Sequence, residues 1–134
     1  MRKLIFALTI LISLTSFSQS PREVVQDQLD AYNAKDIDAF MDVFSEDIEL
    51  WTLGDTIPSV KGFSPVKKIY ADLFDRSPNL HSEVLNRTVI GNKVIDYEKI
   101  TGRSGKGEGK ILFLVMIYEV KEGKIFRATA VRQD

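Results

Sequence analysis

The stretch Lys110–Lys121, KILFLVMIYEVK, decides the fold. Its central residues, Ile111 to Tyr118, carry no charge and are rich in β-branched and aromatic side chains, a composition that favours a strand. Side chains alternate along a strand, so Ile111, Phe113, Val115 and Ile117 share one face and Leu112, Leu114, Met116 and Tyr118 the other. Both faces are apolar, and both must be covered. The chain's own helices can cover one. The other calls for a second layer, most simply another copy of the chain.

Downstream, Glu122-Gly123 turns the chain into a last strand, Ile125 to Arg132. Upstream lies the loop Gly102 to Gly109, and before it Leu80–Ile90 and Lys93–Thr101 flank Gly91-Asn92, the pattern of a hairpin with a two-residue turn. The first half is helical. Ser20-Pro21-Arg22-Glu23 combines a capping serine, a proline at the first helical position and a capping-box glutamate. That helix is expected to reach about Ala34, with Val25, Leu29 and Tyr32 on one face. Asp36 caps a second, in which Ile37, Phe40, Met41 and Phe44 form an apolar stripe and Ser45-Glu46-Asp47 the end. Ile48 to Leu53 alternates as a strand, and residues 54–62 read as an irregular excursion. Ser64-Pro65 opens a third helix with Val66, Ile69, Tyr70, Leu73 and Phe74 inward, stopped by Ser77-Pro78. Helices followed by a meander of long strands make an α+β fold: three N-terminal helices on a curved antiparallel sheet. The twist of such a sheet leaves a cone between the layers.

Composition narrows the function classes. At 134 residues the chain is one domain, and 44% hydrophobic with 28% charged residues excludes disordered and fibrous classes. Eighteen basic against 19 acidic residues, without a basic cluster, exclude nucleic acid as a partner. Met1-Arg2-Lys3, the apolar run Leu4 to Leu14 and Ser16-Phe17-Ser18 form the basic start, core and small-residue exit of a secretory leader, too short to span a bilayer. Residues 1–18 are thus read as a signal peptide and 19–134 as a single domain, exported to the periplasm or the medium with no stable membrane anchor after leader removal. Without cysteine there are no disulfides, thiolate chemistry or cysteine-linked lipid, and with one histidine there is no ligand set for zinc. No cofactor is expected: the Gly/Lys run 105–110 lacks the helix and Ser/Thr of a phosphate loop.

Tyr32-Asn33-Ala34-Lys35-Asp36-Ile37-Asp38-Ala39-Phe40, Phe44 to Trp51, Gly62 with Ser64 to Ile69, and Glu119 to Ile125 resemble the NTF2-like or SnoaL-like superfamily, which includes ketosteroid isomerases and polyketide cyclases. The resemblance runs over about residues 21–132. It implies a cystatin/NTF2-like conical α+β barrel, a hydrophobic pocket between helices and sheet, and a homodimer through the outer sheet face. Aligned on Asn33 to Asp36, the isomerases' basic aspartate falls on Thr52, their oxyanion tyrosine on Gln28 and their protonated aspartate near Met116. None matches, and a threonine hydroxyl cannot abstract a proton next to a carbonyl.

Other residues must carry any chemistry. Asp96 and Glu98 share one face of a strand, where an inward pair would make an acid/base site. Apolar side chains usually win the interior, so Ile95 and Tyr97 are expected inside and the carboxylates in water. His81, the single histidine, and Asp55, near the failed aspartate position, are further candidates. Trp51, Tyr32 and Tyr70 are expected to line the pocket. Arg127 and Arg132 alternate with Ala128 and Ala130, and either could hold a ligand carboxylate or face solvent. The expected function is uptake of a small, largely apolar molecule. The alternative is an isomerase-, cyclase- or hydrolase-type enzyme using Asp55, His81 or the Asp96/Glu98 pair.

Overall fold

Helix α1 (Pro21–Ala34) starts as its sequence dictates: Ser20 Oγ accepts from the Glu23 N–H at 3.3 Å, and the Glu23 carboxylate accepts from the Ser20 N–H at 3.1 Å. The structure, a computed structural model, describes residues 18–105 and 108–133, and the expected leader lies outside the described residues. Helix α2 (Ile37–Asp42) begins on Asp36, which accepts from Ala39 N–H at 3.1 Å. It is shorter than its apolar stripe suggests, and strand β1 (Phe44–Thr52) starts where another helical turn was expected. Tertiary pairing overrides the local pattern there. Phe44 pairs with Ile125, whose N–H donates to the Val43 carbonyl at 2.8 Å. Phe44 still reaches the core, its ring centroid 4.9 Å from that of Phe40.

The two-residue strand β2 (Val60–Lys61) pairs with β1, and helix α3 (Phe63–Arg76) follows. Its cap is Gly62 at φ 98°, not Ser64, which falls with Pro65 inside the first turn. The Gly62 N–H is already held by the Ile48 carbonyl at 2.8 Å, which anchors the helix start to β1. Then come β3 (His81–Ile90), β4 (Lys93–Thr101), β5 (Leu112–Lys121) and β6 (Lys124–Val131), with the hairpin turn at Gly91-Asn92. The sheet order is β2-β1-β6-β5-β4-β3. All neighbours are antiparallel except β1 and β6, so the antiparallel sheet expected from the sequence carries one parallel seam. The sheet is curved and open, and the three helices lie in its concave side.

The opening stretch divides as its alternation requires. Leu114 and Tyr118 are buried inward, whereas Phe113 and neighbouring Ile111 stay 40% and 54% exposed on the outer side. Across that outer side Lys61, Glu49, Arg127, Glu119 and Lys93 form a ladder of alternating charge over five strands, with N···O separations of 3.7, 3.6, 3.8 and 3.8 Å. Fully buried Phe40, Met41, Ile48, Leu80, Val94 and Ile125 form the centre of the core between helices and sheet.

After β4 the chain is pinned to the end of α3. Gly102 has φ 71°, and a Cβ built on it would lie 1.9 Å from the Asn79 carbonyl oxygen. Two residues on, the Ser104 N–H donates to Oγ of the buried Ser77 at 3.0 Å. Gly102→Ala is expected to lose roughly 2–4 kcal/mol in urea unfolding, combining left-handed strain with backbone overlap. Gly109→Ala, at φ 76° with no atom within 4 Å, is expected to lose about 1 kcal/mol. Equal losses would show that the Asn79 contact is not what requires the glycine.

Candidate functional site

Between α1, α3 and the concave side of the sheet lies a cavity of about 270 Å³. Along this stretch β6 contributes only the methyl groups of Ala128 and Ala130 to the wall, where its neighbours present Leu50, Met116 and Tyr118, and that leaves room. The remaining walls are mostly apolar: Leu29 and Leu73 from the helices, Ile100, Leu112 and Leu114 from the sheet. Tyr32 and Tyr70 line it, as expected from the helix faces. Burial lifts both phenols, that of Tyr70 to about 12.

The strand β4 turns the opposite way from the expectation. Asp96 and Glu98 are inside, 1% and 5% exposed, and Tyr97 is outside, its ring stacked on Phe113 at 6.1 Å between centroids. Val94 and Ile100 share the carboxylates' face and are themselves buried, so this face has apolar ends and an acidic middle. Asp96 is compensated on the spot. Arg87 donates to it twice, Nε to Oδ1 at 2.7 Å and Nη2 to Oδ2 at 2.8 Å, and its third contact is Gln26 Oε1 at 2.9 Å. The pair raises the pKa of the guanidinium further.

Glu98 has no such partner, and it lines the cavity. Tyr118 Oη donates to its Oε1 at 3.1 Å and Ser82 Oγ to its Oε2 at 3.3 Å. Burial first, and the charge of Asp96 second, push its carboxyl up to about 7; the two hydrogen bonds and Arg87 pull the other way without prevailing. Tyr118, beside it, is pushed well above the ordinary phenol value, chiefly by burial. Glu98 therefore exchanges a proton near neutral pH inside a mostly apolar chamber. Ser82 is held in place by Asn33, whose side chain donates to its carbonyl at 3.0 Å and accepts from its N–H at 2.8 Å.

The other candidates separate cleanly. Asp55 and His81 are exposed and outside the lining, so the structure does not bring them to Glu98. Trp51 borders the cavity, but its indole N–H donates to Glu49 Oε2 at 2.7 Å and its ring lies 5.2 Å from the Arg127 guanidinium carbon. Arg127 is not in the lining; Glu49 and Glu119 hold it on the outer row. Its neighbour in the sequence argument, Arg132, does line the cavity, and so does Arg103, which sequence reasoning missed together with Tyr118 and Ser82. Gln28, Thr52 and Met116, on or near which the resemblance sets the isomerases' residues, all border the cavity. Among the described residues no group of three His, Asp or Glu side chains converges as a metal site.

The family model for SnoaL-like domains matches residues 25–128. The chain belongs to the SnoaL-like domain family. Solved structures agree on the fold. An uncharacterized cystatin-fold protein from Novosphingobium aromaticivorans is 24% identical, with a TM-score of 0.77 over 85% of this chain and 99% of that one. An epoxide hydrolase of the LEH-like type from M. tuberculosis is 13% identical, with a TM-score of 0.72 over 84% of this chain and 82% of its own. An NTF2-like protein of unknown function from Cytophaga hutchinsonii is 15% identical, with a TM-score of 0.69 over 86% and 91%. No curated protein matches.

Glu98 also marks the domain's stability. Its folded pKa is above the unfolded value of 4.5, so its contribution is present in full below pH 4.5 and is lost as pH rises through about 7. Relative to Glu98→Gln, the native protein is expected to lose on the order of 3 kcal/mol of unfolding free energy across that window. Parallel pH profiles for the two proteins would mean that Glu98 titrates like a solvated carboxylate.

Proposed function

We propose that this SnoaL-like domain takes up a small, largely apolar molecule that presents one oxygen or nitrogen to Glu98. The observation that carries this reading is a single titrating carboxyl, hydrogen-bonded by Tyr118 and Ser82, in the wall of an otherwise mostly apolar cavity. At about 270 Å³ the cavity lies just under the ~300–1,000 Å³ of pockets for drug-sized ligands, which favours a molecule of one or two rings. A panel of such compounds is expected to stabilise the protein by about 2–3 kcal/mol near hundredfold saturation, read as a shift in melting temperature. Ala130→Phe, which fills the cavity, is expected to abolish the shift. A panel without effect on the native protein would end the reading.

The proton on Glu98 favours a second reading, in which the bound molecule is transformed by general acid/base catalysis. A carboxyl with a pKa of about 7 is matched to proton transfer at neutral pH, and the Tyr118 hydroxyl that donates to it holds it in place at the cavity wall. The isomerase, cyclase and hydrolase activities suggested from the sequence all need such a group. With a substrate in hand, Glu98→Gln is expected to lower kcat by about 100-fold or more while leaving binding within a few-fold, and the native rate is expected to titrate near pH 7. Turnover that survives Glu98→Gln would leave the binding role alone standing.

Export and self-association belong to the same proposal. The basic start, apolar run and small-residue exit support a leader ending near Ser18. The outward Tyr97, Phe113 and Ile111, 40–54% exposed on the sheet, support a second copy as the cover. Protein recovered from outside the cytoplasm is expected to begin near Gln19 and to sediment as a homodimer, and Phe113→Lys as a monomer. A native protein that sediments as a monomer at high concentration would remove the dimer.

A further inference from the structure

The charged residues of the cavity lining are Glu98, Arg103 and Arg132. Glu98 is buried, while both arginines are exposed, so the polar groups stand at two depths: a carboxyl inside and cationic groups at the rim. No ion pair among the described residues engages either arginine. Both influence the interior, since each pulls the Tyr70 phenol toward its charged form against the effect of burial.

Both positions are built. Arg103 sits between the two contacts that pin its segment: Gly102 is pressed against the Asn79 carbonyl, and the Ser104 N–H is bonded to Ser77 Oγ at 3.0 Å. Arg132 follows the end of β6 directly, one residue past Val131, which pairs with Val115. Continuing that register by one residue sets Arg132 opposite Leu114, and Leu114 pairs with Glu98. Arg132 and Glu98 thus lie on one transverse row of the concave face, two strand spacings or roughly 10 Å apart at the backbone. Both residues line the same cavity, as do Leu114 and Ala130 between them.

From this we infer that the ligand is an amphipathic carboxylate: an aromatic or alicyclic body of one or two rings whose carboxylate is held at the rim by Arg103 and Arg132 and whose far end reaches Glu98. Arginine recognises a planar carboxylate through paired, charge-assisted hydrogen bonds, which a neutral amide of the same shape cannot accept equally well. A cationic ligand would meet two like charges on entry, and a wholly neutral one would leave the rim without a role. The inference rests on the pocket reading above and adds the chemical class.

The test uses isosteric pairs. Benzoate with benzamide, 2-naphthoate with 2-naphthamide and cyclohexanecarboxylate with its amide are titrated calorimetrically into the native protein. At least one acid is expected to bind about tenfold or more tightly than its amide, and the difference is expected to shrink as salt rises. Arg103→Gln with Arg132→Gln is expected to remove that difference by weakening the acid far more than the amide, and to leave the unliganded melting temperature unchanged, since both side chains are exposed. Acid and amide binding equally in every pair would overturn the inference and leave the apolar pocket intact. An acid preference that survives the double substitution would overturn it as well. Binding of no probe in either form would overturn the pocket reading and the carboxylate assignment together.

Discussion

The direction that strand β4 faces is the constraint on which the site depends. A slip of one residue would place Ile95 and Tyr97 inside and put Asp96 and Glu98 in water, because side chains alternate with a period of two. The hairpin turn at Gly91-Asn92 fixes the register from one side, and Asn92 is tied across to Val120 by its carbonyl at 2.9 Å and its side chain at 3.2 Å. The Arg87–Asp96 pair fixes it from the other side. A buried ion pair contributes little net stability, but breaking one by losing a partner costs about 3–5 kcal/mol, so it discriminates strongly against a shifted strand. In this fold the pair acts as a register mark, and the stability itself comes from the apolar core around it.

The same strand shows how environment assigns different roles to like residues. Asp96 and Glu98 are two positions apart on one face, some 7 Å along the strand. One is satisfied by the fork of Arg87 and stands outside the cavity; the other meets only hydroxyls and opens into it. The Asp96 carboxylate stands close enough to help hold a proton on Glu98, against the weaker opposite pull of Arg87. The ion pair therefore sets the register and also tunes the group that faces the cavity. Two carboxyls in unlike surroundings are a familiar route to one charged and one neutral acid at the same pH.

Much of the fold was legible in the sequence. The capping box at Ser20, the hairpin at Gly91-Asn92, the loop of glycines and the two-sided apolar strand all act locally, and they appear where their local chemistry puts them. The helix α2 boundary was not legible, because Phe44 continues a helical stripe yet is captured by Ile125 from the other end of the chain. The site was only half legible. Inward helix faces gave Tyr32 and Tyr70, but counting apolar residues on β4 gave the wrong face. One signal was present and went unused: pairing outward from a two-residue turn sets Arg87 opposite Asp96, and an arginine so placed can take a carboxylate into the interior. Glu98 followed from that. Arg103 had no comparable signal, since its loop is brought to the cavity by tertiary contacts, Gly102 against Asn79 and Ser104 on Ser77.

The hollow itself bears on why a fold can persist while its chemistry changes. Tyr32, Phe40, Phe44, Tyr70 and Phe74 bind the three helices to β1 through ring contacts of 4.5 to 6.5 Å. With the helix layer secured there, the cavity need not be filled for the domain to hold together, and its walls are free to differ. Gln28, Thr52 and Met116, on or near which the family resemblance would set the isomerases' tyrosine and two aspartates, each border the same space. The titrating carboxyl stands instead at Glu98, opposite Leu114 and two strands from Arg132. Fold thus fixes where a ligand can sit, while the identity of the few polar groups on the wall decides which ligand and what happens to it. In this chain those groups are an acid with its proton near neutrality and two cations at the entrance, a set that the SnoaL-like framework accommodates without specifying.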